Sequence, residues 1–176
     1  NAFSPGAYTV SSLSNISNVL FFSGGPSQNG SLRDISVKRD GREIATLDFY
    51  ELLIKGNIKN DIKLQSNDVI VINPTGKTVS ISGQVKNQAQ FELLQDENFS
   101  NLLSFSSGLT NKADKNNITL SSYAENGERV YVNYTLSEIS EISLSDGDEI
   151  FVHSLPSTPR NIIKILGEIS SSGSVA

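Results

Sequence analysis

The chain of 176 residues has no cysteine, no methionine and no tryptophan, and only one histidine. Without cysteine there is neither a disulfide framework nor a thiolate metal site, so the thiol content says nothing about the redox compartment, and an oxidising periplasm is permitted. Basic residues are few. The 14 Lys and Arg against 19 Asp and Glu leave a net charge of −5. That balance disfavours sequence-independent nucleic-acid binding, which needs clustered cations to neutralise phosphates, and it disfavours an electrostatic membrane anchor. No apolar run approaches the roughly 18–20 residues that span a bilayer, and no signal peptide opens the chain.

The chemistry-bearing residues are equally sparse. His153 has many serines around it in sequence, but no Gly-x-Ser-x-Gly turn frames a nucleophile, so a hydrolase triad is rejected and His153 is read as an ordinary surface or packing residue. The acidic group Asp146, Asp148 and Glu149 lacks the 12-residue calcium loop and its terminal glutamate, and turn formation is its expected use. Five Asn-x-Ser/Thr sequons, at Asn15, Asn29, Asn98, Asn117 and Asn133, follow from a composition rich in Asn, Ser and Thr. No catalytic residue, metal site or cofactor is assigned, and the chain is read as non-enzymatic.

What the chain does contain is repetition. Phe22-Ser23-Gly24-Gly25 returns as Phe105-Ser106-Ser107-Gly108, Asp40-Gly41 as Asn126-Gly127, and the run 64–71 as the run 144–151. Val79-Ser80-Ile81-Ser82-Gly83-Gln84-Val85 returns within residues 162–169. The offsets keep their order: 83 from Gly25 to Gly108, 86 from Asp40 to Asn126, 80 from Asp68 to Asp148 and 84 from Gly83 to Gly167. The drop from 86 to 80 places a six-residue shortening in the second unit, opposite residues 54–60 of the first, where a loop tolerates it.

The expected organisation is therefore an array. Module one covers 3–74 with its first strand truncated, module two covers 77–155, and 160–176 supplies the first strand of a truncated third. Asn1-Ala2 is read as a remnant of cloning, and the chain as a fragment whose anchor or pore would lie outside it. Pro74-Thr75-Gly76 and Pro156-Ser157-Thr158-Pro159 read as short, stiff linkers between modules set end to end.

Each module is expected to place an extended segment (7–10; 90–94) before one short helix. In module two Asp96 caps a helix presenting Phe99, Leu102 and Leu103, with Gly108 as its left-handed stop; in module one Leu13, Ile16 and Leu20 share a face that ends at Gly24-Gly25. A hairpin follows. For module two a three-residue loop, Glu125-Asn126-Gly127, sets Ile118, Leu120 and Ser122 opposite Tyr134, Val132 and Val130 on a core face, whereas a two-residue loop would mix Val130 and Val132 with Tyr123 and Ser121. For module one the two-residue loop Asp40-Gly41 pairs Val37 with Ile44 and Ile35 with Thr46. A helical connection around 49–53 and closing strands at 69–72 and 149–152 complete an α+β, β-grasp order of elements.

A strand with Gly-x-Val, an aromatic strand, a helix ending in Gly-Gly, a hairpin and a closing Leu-Gln-x-x-Asp-x-Ile-x-Val together resemble the soluble-ligand-binding β-grasp (SLBB) domains of bacterial outer-membrane polysaccharide export proteins of the Wza type. Gln88-Ala89 departs from that pattern, which often has Pro-Gly. The resemblance implies tandem β-grasp modules that form periplasmic rings of an oligomeric conduit for capsule or exopolysaccharide. Its implied partners are further copies of the chain, the exported polysaccharide and an inner-membrane polysaccharide co-polymerase.

The hairpin register also predicts a surface. If Ile118 and Leu120 face inward, Tyr123 pairs with Arg129, Ser121 with Tyr131 and Thr119 with Asn133 on the outer face. Tyr123, Arg129, Tyr131 and Asn133 then offer aromatic rings to sugar CH faces and polar groups to hydroxyls, a saccharide site; the same face also suits solvent or a neighbouring copy.

Overall fold

Gly24 ends the first helix at φ 85°, its N–H bonded to the carbonyl of Leu20, and thereby turns the chain of module one toward its sheet. The computed structural model describes residues 1–156; the second linker beyond Pro156 and the third-module strand at 160–176 lie outside the described residues. Helix α1 (Ile16–Ser23) buries Ile16, Val19 and Leu20. Leu13, expected on the same face, precedes the helix and is exposed, because α1 starts only after Asn15.

Strands β1 (Gly30–Arg39) and β2 (Arg42–Leu47) follow, joined by Asp40 and Gly41, both at positive φ as a tight two-residue hairpin turn requires. The register differs from the expected one. Ile44 is an extra residue on β2, a bulge that puts Val37 opposite Ala45 and Ile35 opposite Leu47 rather than Ile44 and Thr46. The bulge turns Leu47 into the core beside Ile35 and Val37 and leaves Ile44 at the surface. Helix α2 (Phe49–Leu53) is N-capped by Asp48, and β3 (Val69–Pro74) closes a sheet of order β2-β1-β3.

Module two carries the fuller sheet. Strands β4 (Lys77–Gly83) and β5 (Ala89–Leu93), helix α3 (Phe99–Phe105), strands β6 (Ala113–Tyr123) and β7 (Arg129–Tyr134), helix α4 (Leu136–Ile139) and strand β8 (Glu149–Ser154) give the order β5-β4-β8-β6-β7. Only β4 and β8 run parallel, at the centre, with antiparallel hairpins outside them. This is the mixed, helix-covered sheet of a β-grasp α+β fold, as the sequence predicts. The β6–β7 register is also as predicted, with Ile118 opposite Tyr134, Leu120 opposite Val132 and Tyr123 opposite Arg129. Ala124 N–H donates to the Glu128 carbonyl at 2.8 Å around the three-residue loop, where Gly127 has φ 81°.

Three expectations for module two are corrected. Asn98, not Asp96, caps α3: its Oδ1 accepts from the N–H groups of Ser100 and Asn101 at 3.0 and 3.4 Å, the short-range geometry a cap needs. Phe105, rather than Leu103, joins Phe99 and Leu102 in the core. Val130 and Val132 are 44% and 40% exposed although they face the core side, because β7 is the edge strand of the sheet.

The repeat is visible in bonds as well as letters. Phe3 N–H donates to Gly25 O as Lys86 N–H does to Gly108 O, and Ser27 N–H to Asn1 O as Thr110 N–H does to Gln84 O. Asn1 and Ala2 therefore hold the places of Gln84 and Val85 in the fold, with Ala2 packed on the module-one core, and are not an appendage to it. The extended strand expected at 7–10 does not form. In module two its counterpart β5 bonds only to β4, and among the described residues module one has no counterpart of β4 to hold it.

Candidate functional site

Two places in this fold hold more polar chemistry than packing requires: the junction between the modules and the outer face of the β6–β7 hairpin. The junction centres on β5, the edge strand of the larger sheet. An edge strand leaves a row of unpaired peptide groups, which must meet water or a partner. At Glu92 they meet module one. Its N–H donates to the Tyr50 hydroxyl at 3.0 Å, and its carbonyl accepts from the Arg33 guanidinium at 3.2 Å. Its carboxylate accepts from the Ser31 hydroxyl at 2.7 Å, Leu32 N–H at 3.0 Å and Gly76 N–H at 2.8 Å.

Arg33 is the hub of this arrangement and is buried. Its Nε and Nη2 donate to Asp48 at 3.0 and 2.9 Å, and Nη1 also pairs with Glu97 of module two. The guanidinium lies over the rings of Tyr50 and Phe105, 4.7 and 5.2 Å from their centroids. Burial works against the cation, but hydrogen bonding to Glu97 and Asp48 outweighs it and holds the pKa above the ordinary arginine value. Tyr50 comes from α2 of module one yet packs in the core of module two, edge-on to Phe91 and Phe105. Burial pushes its phenol pKa up. The linker between β3 and β4 is only Thr75 and Gly76, so the junction is held by this buried cluster as well as by chain stiffness.

None of these junction residues stands out in the sequence, because the second module does not repeat them. Ile35 and Ile118 pair with Ile72 and Val152 respectively, which sets Asp114 and Asn116 at the places of Ser31 and Arg33. The cap of α4 is Thr135 where α2 has Asp48, and Ser137 then stands for Tyr50. The visible signal is slight: Arg33 stands between Leu32 and Asp34 in a strand that carries three other charged residues, Asp34, Lys38 and Arg39.

On the hairpin, the four predicted residues share one face but are not equally available. Tyr123 and Tyr131 are 61% and 66% exposed. Arg129 is engaged: its Nε donates to the Ser121 hydroxyl at 2.7 Å, its Nη2 pairs with Glu149, and its guanidinium covers the Tyr123 ring at 5.1 Å. Asn133 accepts from the Thr119 hydroxyl at 2.6 Å, which leaves its amide N–H groups as donors. Thr119 also meets His153 Nε2 at 2.8 Å.

The sheet adds residues that the hairpin alone does not suggest. Strand β8 lies beside β6 with Phe151 opposite Thr119 and Glu149 opposite Ser121, so Glu149, Phe151 and His153 extend the same face. Phe151 and His153 stack edge to face at 4.8 Å. His153 is thus a packing residue of a mixed aromatic and polar surface. Of the acidic group, the buried Asp148 accepts from Ser145 N–H at 2.8 Å, which is turn chemistry, whereas Asp146 accepts from Thr78 N–H at 2.7 Å and ties its loop to the start of β4. Crevices of about 260 and 250 Å³ lie elsewhere, one at the junction beside Gln28, Thr78 and Gln90, the other on module one beside Phe21, Phe49 and Leu53.

The sequence model of the SLBB domain matches residues 4–47 and 78–133, one segment in each module. Comparison with curated proteins returns no match.

Proposed function

The chain belongs to the SLBB domain family, and from that premise we propose that it is the periplasmic part of a bacterial outer-membrane polysaccharide export protein. Domains of this family occur in polysaccharide export proteins, which supports a general role in that process. The role is architectural: modules joined in fixed orientation hold a wide passage open, and further copies of the chain complete the ring. The exported polysaccharide and an inner-membrane polysaccharide co-polymerase are its partners in the intact assembly.

The observation that carries this reading is the junction. A chain that only displayed independent binding domains would need no buried Arg33–Asp48–Glu97 cluster or Tyr50 embedded across the boundary. Deleting the gene from its host and quantifying capsule or exopolysaccharide at the cell surface tests the export role. Surface polymer is expected to fall while intracellular precursor rises, and unchanged surface polymer would reject it.

A second reading is supported by the exposed Tyr123 and Tyr131 beside Asn133 and the ordered Arg129: the hairpin face captures a saccharide directly. An amide-shift NMR titration with purified surface-polysaccharide oligomers up to millimolar concentration separates the two. Saturable shifts confined to 119–133 and absent in Tyr131→Ala support capture. No shift there leaves the modules as scaffold.

A further inference from the structure

Helices α3 and α4 cover one face of the module-two sheet, the face that carries Val79, Ile118 and Ile150. The residues that alternate with these point to the other side, which stays open: Tyr131 is 66% and Phe151 46% exposed. The pairing registers align a row of residues across all five strands of that open face. Tyr131 stands opposite Ser121, Ser121 opposite Glu149, Glu149 opposite Ser80 and Ser80 opposite Gln90. A second row beside it runs Asn133, Thr119, Phe151 and Ser82. With strands about 4.8 Å apart, the first row is about 19 Å long.

The first row ends at the junction crevice. There Ser27 and Gln28 of module one line a space of about 260 Å³ together with Thr78 and Gln90. The Thr78 hydroxyl accepts from the Gln90 amide at 3.1 Å and donates to Asp146 at 3.2 Å, so these groups are held in place before any ligand arrives. The charges on this face are already balanced or negative. Glu149 pairs with Arg129, and Asp146 has no cationic partner among the described residues. A ligand carboxylate or phosphate finds no unpaired cation in either row and is repelled at the Asp146 end.

We propose that this open face is a track for an extended, linear, uncharged saccharide, which crosses the strands from Tyr131 to the junction crevice. The inference rests on the reading that the hairpin captures a saccharide, and lengthens that site from one hairpin to five strands. Tyr131 and Phe151 present rings to the apolar faces of successive sugars, while Ser80, Ser82 and Gln90 meet their hydroxyls. A flat row of this length favours a chain over a single sugar, because each further contact forms without a further loss of overall translational freedom. Module one takes part only at the far end, through Gln28, so the fixed junction also fixes the last contact of the track.

Amide-shift NMR of the whole chain tests it, with cellohexaose and mannohexaose as extended uncharged hexamers, cellobiose and mannobiose as their dimers, and a hyaluronan hexasaccharide as the acidic counterpart. At least one uncharged hexamer is expected to shift the amides of Ser80, Ser82 and Gln90 together with those of Tyr131 and Phe151. It is expected to bind about tenfold tighter than its dimer, the gain that one or two added ring and hydrogen-bond contacts supply. Gln90→Ala, a change at an exposed side chain, should weaken the hexamer about fivefold and bring it toward the affinity of its dimer. Equal affinities for dimer and hexamer, with shifts confined to 119–133, overturn the track and leave capture at the hairpin standing. No shift with either uncharged hexamer, or shifts at 78–90 without any at the hairpin, overturn both. Tighter binding of the hyaluronan hexasaccharide overturns the uncharged class and with it the proposal.

Discussion

The guanidinium of Arg33 reaches the backbone carbonyl of Glu92, 59 positions along the chain and in the other module, at 3.2 Å. The side chain of Glu92 returns to module one through Ser31 and Leu32. Two peptide segments from different domains thus complete each other's hydrogen bonding, and the edge strand β5 is covered at Glu92, while Ala89 and Gln90 stay exposed. Arg33 draws Asp48 and Glu97 into the same buried space, so its removal strands two carboxylates and a carbonyl at once.

Arg33→Ala is therefore expected to cost about 3 kcal/mol or more, the size usual for breaking a buried ion pair from one side. Chemical denaturation should show it, and small-angle scattering should show a broader distribution of module orientations. A loss below about 0.5 kcal/mol, the range of an ordinary surface substitution, would mean that chain stiffness alone holds the junction.

Tyr50→Phe keeps the ring between Phe91 and Phe105 but removes the acceptor for Glu92 N–H. The orphaned donor is expected to cost about 1–3 kcal/mol. The same residue sets an alkaline limit. Burial raises the Tyr50 pKa above that of the unfolded chain, so its contribution is fully present below about pH 10 and is lost as pH rises toward the folded value. Denaturation midpoints from neutral pH to above 10 should fall more steeply for the parent than for Tyr50→Phe; parallel curves would contradict the assignment.

Asp68 sets an acid limit in module one. The hydrogen bond from Arg39 holds its pKa below the usual carboxylate value, helped by Gln65 N–H. Stability from this group is present above about pH 4 and is lost as pH falls through the folded pKa. Ser122 stands at the Arg39 position of module two, since each lies four residues beyond the matched Ile35 and Ile118. Asp68→Asn should flatten the acid limb of the stability profile between about pH 5 and 2, followed by amide signals of module one; an unchanged limb would show that other carboxylates control it.

Gly83→Ala should destabilise module two by at least about 1–3 kcal/mol from backbone strain alone. The added methyl meets the Val152 carbonyl, which has no freedom to move at the centre of the sheet. Thermal unfolding tests it, with Gly127→Ala as the comparison. Gly127 also has positive φ, but a Cβ there meets nothing, so only the strain applies.

Much of this architecture was legible because it is local or repeated. Turn residues such as Asn126-Gly127, alternating faces such as Ile118, Thr119 and Leu120, and a conserved order of motifs at nearly constant offset determine strands, register and the β-grasp order before any contact is known. The bulge at Ile44, the missing strand at 7–10 and the contribution of β8 to the hairpin face were not legible, since each depends on which strand lies alongside. The junction was hidden for a further reason: comparing the modules with each other shows what they share, and Arg33 and Tyr50 are where they differ. The sequence by itself determined two similar folds and a candidate face. Only the tertiary structure decided how those folds lock together, because burial of Arg33, Tyr50 and Glu92 arises from surfaces that meet across the chain and leaves no periodic trace along it.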